Sequence, residues 1–126
     1  MIKFERGCSR FVILIGNYAI KLPYVHGSNF AYGRLDSLCK GIIHNIREYT
    51  FFKAGTKYVC PIVFHIYGLC NIMKRAVELT EEEYLEFESS FDKEEMAWYI
   101  AEHKADSWGW LYNKIVAIDY AEGDKV

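Results

Sequence analysis

The sequence has little proline and no cysteine or histidine pattern typical of a metal site. Two prolines occur among 126 residues, and the four cysteines form no C-x-x-C pair. No apolar run reaches the ~18 residues that a membrane helix needs. The stretch Met1–Arg6 lacks the long apolar region of a signal peptide. We therefore expect a cytoplasmic protein with reduced thiols and no membrane contact.

The composition indicates a folded protein of one domain. Hydrophobic residues make up 52% of the chain and aromatic residues 17%, which argues against disorder. A chain of 126 residues is long enough for one substantial core and short for two. We expect a single domain over residues 1–126.

Charge is distributed unevenly along the chain. Residues 1–77 carry 11 basic and 3 acidic side chains, a net charge of +8, whereas residues 78–126 carry 4 basic and 14 acidic, a net charge of −10. The basic part suits an anionic ligand such as nucleotide phosphates, or an acidic partner. The acidic part argues against direct binding of nucleic acid. Two solvated faces of opposite sign are the alternative interpretation.

Periodicity and turn residues predict the element order β-β-β-α-β-β-α-α-β-β. Thr80 and Glu83 form a capping-box pattern, which predicts a helix start near Glu81. We expect an α+β fold with a loop over 24–35, and residues 75–80 are a candidate join between two subdomains. The predicted strands are 2–8, 10–15, 18–23, 58–65, 69–73, 108–111 and 115–118, and the predicted helices are about 36–54, a helix from 81, and about 92–102.

Lys21 and Glu48 are the first candidates for a functional pair. Lys21 ends the strand Ala19-Ile20-Lys21 after a glycine turn, where a lysine can neutralise nucleotide phosphates. Glu48 lies in the first predicted helix, from which it can pair with a strand lysine. An ordinary strand lysine and a solvent-exposed helical glutamate are the alternatives.

Asp119 is the third candidate. It follows the apolar run Ile115–Ile118, which predicts a buried strand. A carboxylate at the end of such a strand is well placed to bind Mg²⁺ that bridges nucleotide phosphates. An aspartate that merely ends a strand is the alternative.

Taken together, these residues resemble the protein-kinase-like superfamily, especially its aminoglycoside-phosphotransferase-like branch and short kinase-like proteins of phages and mobile elements. Gly7, Arg10 and Val12 resemble a nucleotide loop, Ala19–Lys21 the strand lysine, and Asn45-x-x-Glu48 the helix glutamate. Ile72–Ala76, with Met73, resembles the segment between the lobes, and Trp108–Tyr120 resembles the hairpin that ends in the metal-binding aspartate.

The resemblance implies a kinase N-lobe-like five-stranded antiparallel sheet with one long helix over 1–76. A reduced C-lobe-like part with helices and a β-hairpin would occupy 77–126. It also implies ATP and Mg²⁺ as cofactors, with nucleotide contacts from Gly7, Arg10, Val12, Lys21, Glu48 and Met73.

The catalytic loop departs from the kinase pattern. Counted back from Asp119, the metal-binding asparagine position is Ser107 and the base position is Glu102. Asp106 lies nearby and would serve as a base only in a shifted loop. The resemblance therefore implies catalytic candidates Glu102 and Asp106, metal ligands Asp119 and Ser107, and a degenerate module that transfers phosphate poorly.

The most acidic stretch lies between residues 78 and 95. It contains nine acidic residues and one lysine, Lys93. A solvated face is one interpretation, and a surface that docks on a basic partner, or imitates a phosphate backbone, is the other.

Three functions remain open from the sequence. The first is a pseudokinase-like binding module with a protein partner, of which a phage-encoded inhibitor of a host defence system such as CRISPR is one form by analogy. The second is a small ATP- and Mg²⁺-dependent phosphotransferase. The third is a structural protein with an inherited kinase-like fold.

Overall fold

The structure is a computed structural model that describes residues 2–6, 10–23 and 31–120, with the side chains of 10–23 and 38–120. The chain divides into two compact units. The first comprises Met1–Thr50 and Pro61–Arg75, and the second comprises Phe51–Cys60 and Ala76–Val126. The predicted α+β class is confirmed. Whether the two units form one kinase-like domain stays a prediction.

The first unit is built on an antiparallel sheet of five strands in the order β1-β2-β3-β5-β4. A hairpin turn at Gly16-Asn17 joins β2 to β3, and Arg75 anchors it through its backbone N–H to the carbonyl of Asn17. The strands are β1 (Ile2–Arg6), β2 (Arg10–Ile15), β3 (Tyr18–Pro23), β4 (Ile62–Ile66) and β5 (Cys70–Lys74).

One long helix, α1 (Ala31–Lys53), belongs mostly to the first unit. It begins five residues before the predicted start at Asp36, because Ala31, Arg34 and Leu35 are good helix formers that outweigh Gly33. Its end at Lys53 agrees with the stop signal at Gly55, which has φ of +81°.

The second unit contains a three-stranded antiparallel sheet in the order β6-β7-β8. The strands are β6 (Val77–Glu78), β7 (Trp108–Leu111) and β8 (Lys114–Ala117), and the helices are α2 (Glu81–Ser90) and α3 (Met96–Ile100), with a 3₁₀ turn over Ala105–Ser107. The capping box is confirmed, because Thr80 accepts a hydrogen bond from the backbone of Glu83 and the Glu83 carboxylate accepts one from the backbone of Thr80.

An aromatic cluster forms the core of the second unit. Trp108 is fully buried and its ring centre lies 4.8 Å from that of Phe87 and 5.4 Å from that of Phe91. Trp98 adds a fourth ring, 6.1 Å from Trp108. Tilted and edge-on rings at these spacings are the arrangements that aromatic quadrupoles favour.

The single strand predicted over 58–65 is wrong. Pro61 has no N–H to donate to a ladder, and the chain divides there. Residues on its amino side join the second unit, where Val59 bridges Ala117 in parallel and the Cys60 N–H donates to the Ala117 carbonyl at 2.8 Å. On the carboxyl side of Pro61, Ile62–Ile66 forms the strand β4, which belongs to the first unit.

Other predicted bounds need correction. The helix α3 covers five residues instead of the predicted 92–102, and the candidate join at 75–80 contains the short strand β6. Asp92 explains the later start of α3, because its carboxylate accepts the backbone N–H of Glu94 and holds a turn there. The predicted strand bounds at 69–73 and 115–118 are each displaced by one residue.

Candidate functional site

Glu48 lies at the centre of a buried group of charged side chains in the first unit. Arg10 donates to both carboxylate oxygens, at 2.6 Å to Oε1 and 3.1 Å to Oε2. Lys21 Nζ donates to Oε2 at 2.8 Å. All three residues are buried, Glu48 completely. A solvent-exposed glutamate, the alternative left open by the sequence, is therefore excluded.

Strand register and helix periodicity explain this convergence. Arg10 and Val12 are two residues apart, so they lie on the same face of β2. Val12 is the register partner of Lys21 on β3. Lys21 is in turn the register partner of Asn71 on β5. On α1, Glu48 follows Asn45 by three residues, so both point to the same side of the helix. The polar face of α1 thus meets the polar positions of three strands.

Two buried amides complete what we call the Glu48 cluster, which consists of Arg10, Lys21, Asn45, Glu48 and Asn71. The Asn45 Oδ1 accepts from Arg10 at 3.2 Å, and its amide group donates to the Lys21 carbonyl at 3.2 Å. Asn71 donates to the Asn45 carbonyl at 2.9 Å. Each buried amide therefore has partners, which is the condition for a stabilising polar core.

His65 extends the network towards the edge strand β4. Its Nδ1 lies 2.6 Å from the Asn71 Oδ1, and its ring stacks on Tyr49 with 4.0 Å between ring centres. Because an amide oxygen only accepts, Nδ1 carries the hydrogen in this arrangement. His65 thereby orients the Asn71 amide so that its nitrogen faces α1.

Burial alone would raise the pKa of Glu48, but the positive charges of Arg10 and Lys21, together with their hydrogen bonds, lower it from 4.5 to about 2. Glu48 is therefore ionised at neutral pH, so it has no proton to donate as a general acid, and its low pKa makes it a weak base. What this arrangement can do is hold the ammonium group of Lys21 in one fixed position.

Gly68 fits the turn between β4 and β5 tightly against α1. Its φ is +78°, and a Cβ there would lie 2.7 Å from Cγ2 and 2.8 Å from the carbonyl oxygen of Ile42. The Gly68 carbonyl accepts from the Asn45 amide at 2.9 Å. The turn therefore helps to fix the helix face that carries Glu48.

The other predicted nucleotide contacts of the first unit have different placements. Arg10, predicted for a nucleotide loop, binds Glu48. Val12 lies beside Lys21 in the register, and Met73 is buried between Ala19 and Ile62 in the sheet. Gly7 lies outside the described residues. A role of these residues in nucleotide binding stays a prediction.

The two predicted metal ligands of the second unit lie next to each other. The Ser107 carbonyl accepts the backbone N–H of Ile118 at 2.9 Å and that of Asp119 at 3.4 Å. The side chain of Ser107 is buried, and its Oγ has no hydrogen-bond partner in the described part of the chain. A hydroxyl and a carboxylate are ligands that suit Mg²⁺, so this pair fits the predicted ion in chemical type.

Lys104 lies between the two candidate bases. Its Nζ is 3.0 Å from Glu102 and 3.6 Å from Asp106, and all three side chains are at least partly exposed. The hydrogen bond from Lys104 to Glu102, with the negative charges of Asp106, Glu102 and Asp119, raises the pKa of Lys104. The catalytic roles of Glu102 and Asp106 stay predictions.

A different surface of the second unit is formed by one side of α2. We define the α2 acidic face as Glu81, Glu82, Leu85 and Glu86, all of which are exposed. Leu85 is 62% exposed and follows Glu81 and Glu82 by four and three residues, so the three lie together. Within the described residues, no lysine or arginine pairs with these three glutamates.

The residues that the structure describes contain neither a cluster of metal-binding side chains nor a membrane-spanning helix. No three side chains of His, Cys, Asp or Glu come together there as a group that could hold a metal ion. In the same residues, no helix has both the length and the apolar character required to cross a bilayer.

Comparison of the chain with protein-family models, with curated proteins and with solved structures finds no match in any of the three.

Sequence reasoning did not identify Asn71, His65 or Gly68 as parts of the Glu48 cluster or its support. One signal was available for Asn71, which is a polar residue between the apolar residues Cys70 and Ile72 of β5. His65 and Gly68 carry no such signal, because their positions depend on the pairing of β4 with β5.

Proposed function

We propose that the protein acts by binding another protein through the α2 acidic face, and that it transfers no phosphate. The main support for this proposal is that the exposed Leu85 is surrounded by three glutamate carboxylates, and these carboxylates have no cationic partner among the described residues. An apolar centre with a polar rim is the usual anatomy of a protein interface. The partner surface would be basic, with an apolar pocket for Leu85.

Lys93, the first cation that follows this face in the sequence, is engaged elsewhere. Lys93 donates to the carbonyls of Glu88 and Phe91 at the end of α2, and its Nζ lies 4.6 Å from the centre of the Trp98 ring. It therefore supports the C-terminal end of the helix, where a positive charge is favourable. The negative field of the face is left to attract an external basic surface.

The Glu48 cluster supports a structural role for the kinase-like residues. Lys21 is 6% exposed and Arg10 7%, so both cations face the interior and Glu48. A lysine that is fixed in this way maintains the sheet–helix packing of the first unit without any ligand. Inhibition of a host defence system remains one form of the proposed binding function, by analogy with short kinase-like phage proteins.

A capture experiment with charge-changing variants tests the proposal. Tagged wild-type protein is incubated with bacterial lysate and compared with the double variant Leu85→Lys/Glu86→Lys, which changes the centre and rim of the face. The matched control Glu94→Lys/Met96→Lys makes the same change of charge with the same kinds of substitution at two exposed sites outside α2. We expect a captured protein that is retained by the control and lost by the double variant, and whose binding weakens at high salt.

Equal capture by all three proteins would contradict the proposal, as would the absence of any captured protein. Circular dichroism checks that α2 is retained in the double variant. Both substitutions keep good helix formers at exposed positions, so we expect little change in helix content.

A second candidate function is Mg²⁺-dependent nucleotide binding with phosphotransfer. The observation in its favour is the proximity of Ser107 to Asp119, with the buried Ser107 hydroxyl unpartnered in the described residues. ATP with Mg²⁺ should then raise the melting temperature, because a ligand that binds the folded state stabilises it. Asp119→Asn should abolish the Mg²⁺-dependent part of the shift, and the absence of any shift in the wild type would exclude this function.

A further inference from the structure

The sheet of the first unit has a second face, opposite the side chains that contact α1. Because Arg10 and Val12 lie on the α1 side of β2, the alternating residues Ile13 and Ile15 point the other way. The same alternation on β3 places Ile20 opposite Lys21. These residues belong to a face that the Glu48 cluster does not use.

Register extends this face across four strands. Ile13 pairs with Ile20, Ile20 pairs with Ile72, and Ile72 pairs with Phe64. Register partners in an antiparallel sheet point to the same side, so their side chains form one continuous apolar row. We define the outer sheet face by six residues: Ile13, Ile15, Ile20, Phe64, Ile66 and Ile72.

The outer sheet face is open to solvent. Phe64 is 50% exposed, Ile66 42% and Ile15 40%, and the other three isoleucines are partly exposed. The sequence of β2 after Arg10 is uninterrupted by polar residues, Phe-Val-Ile-Leu-Ile, and such a run is typical of a sheet that is covered on both faces. An antiparallel sheet with one solvated face instead alternates apolar and polar residues.

The face has almost no charge. Among the described side chains of these strands, Lys74 is the one ionised group on this side, at the margin, where its Nζ lies 5.7 Å from the centre of the Tyr18 ring. A neutral apolar face gives a charged partner no electrostatic advantage. The same face on a second copy of the chain is complementary to it. A two-fold axis would bring the apolar residues of both copies together and leave Lys74 of each copy at the rim.

The size of the face sets the strength of such an association. Four strands about 4.8 Å apart, each with five or six residues at about 3.3 Å, span a plane of roughly 350 Å². Two such planes together cover roughly 700 Å², so even with side-chain relief the total stays in the class of weak, transient interfaces, below ~1,200 Å². A weak dimer is therefore the expected outcome.

We propose that the outer sheet face is a self-association surface, on which a second copy of this chain packs its own sheet face to face. In the dimer, the two sheets cover each other as the layers of a β-sandwich do, about 10 Å apart. This inference concerns the first unit and does not depend on the function proposed for α2.

Sedimentation of the whole chain between about 1 µM and about 1 mM tests the proposal, because this range covers the affinities of weak interfaces. We expect the average mass of the wild type to rise towards that of a dimer. The double variant Phe64→Lys/Ile66→Lys should remain monomeric, since it brings cations onto the face. Ile15→Lys, on a different strand, should independently weaken association at least tenfold.

The matched control is Tyr67→Lys/Leu69→Lys. Both residues lie in the β4–β5 turn, are exposed by 83% and 51%, and receive the same charges in the same unit. The control should dimerise like the wild type. A wild type that stays monomeric over the whole range overturns the proposal, and so does a dimer that persists in Phe64→Lys/Ile66→Lys and Ile15→Lys or disappears equally in the control.

Discussion

Arg10 donates two hydrogen bonds to Glu48, one to each carboxylate oxygen, although it lies 38 residues earlier in the chain. The bidentate geometry fixes the carboxylate in one orientation, in which Oε2 also faces Lys21. Two strands and one helix are therefore joined through a single side chain.

Replacement of Glu48 should strongly destabilise the protein. Glu48→Gln keeps the shape of the side chain but leaves the charges of Arg10 and Lys21 without their shared carboxylate. Loss of one partner from a buried ion pair costs about 3–5 kcal/mol. Urea unfolding measures the change, and Glu86→Gln on the exposed side of α2 serves as a control that should stay within ~0.5 kcal/mol of the wild type. An equally small effect of Glu48→Gln would show that the cluster does not stabilise the fold.

The same carboxylate should make stability depend on acidic pH. The pKa of Glu48 is about 2 in the folded state against an ordinary value of 4.5, so the unfolded chain binds the proton more readily. The contribution is present above pH 4.5 and is lost as pH falls from there towards 2. Urea unfolding at about pH 6, 4 and 3 should show the wild type and Glu48→Gln converging. A difference that stays constant over this range would contradict the prediction.

Two glycines with similar backbone angles should respond differently to alanine. Gly68 and Gly55 have φ of +78° and +81°, so both substitutions force a left-handed backbone, which costs about 1 kcal/mol. A Cβ at Gly68 would also meet Ile42 at 2.7 Å, whereas a Cβ at Gly55 meets nothing within 4 Å. Gly68→Ala should therefore be the more destabilising by about 1–3 kcal/mol. Equal losses in thermal or urea unfolding would mean that the turn moves away from α1 at little cost.

The capping box of α2 should contribute a measurable amount to stability. Thr80→Ala removes the hydroxyl that accepts the Glu83 backbone N–H, and we expect a loss of about 1 kcal/mol. Thr50→Ala is the control, because the Thr50 hydroxyl donates to the Ile46 carbonyl within the helix and is not a cap. Calorimetry should show a lower melting temperature for Thr80→Ala, and an effect no larger than that of Thr50→Ala would contradict the prediction.

Local signals predicted the parts of the structure that depend on neighbours in sequence. The β2–β3 hairpin and the α2 cap follow from turn and cap residues within a few positions of each other. The meeting of Lys21 and Glu48 was expected from the kinase resemblance, in which a strand lysine pairs with a helix glutamate. The structure places them together, although the sequence could not show that Arg10 would share the carboxylate.

The remaining features depend on long-range pairing, which periodicity does not reveal. Asn71 joins the Glu48 cluster because β5 pairs with β3 in a register that puts it opposite Lys21. Tyr58–Cys60 leaves the predicted strand because Pro61 interrupts the ladder and a distant strand, β8, offers an edge. The exposure of Ile15, Phe64 and Ile66 on the outer sheet face is likewise not decided by strand patterns alone.

The parallel bridge between Val59 and Ala117 has a practical consequence for dissecting the protein by truncation. A fragment that starts at Ala76 would lose residues 51–60 and expose the flank of β8, with the hydroxyl of Tyr120 deprived of the Cys60 carbonyl. Such a fragment should aggregate. Deletion mapping of a binding region would then mistake a folding defect for a lost contact, whereas point substitutions in the intact polypeptide would not.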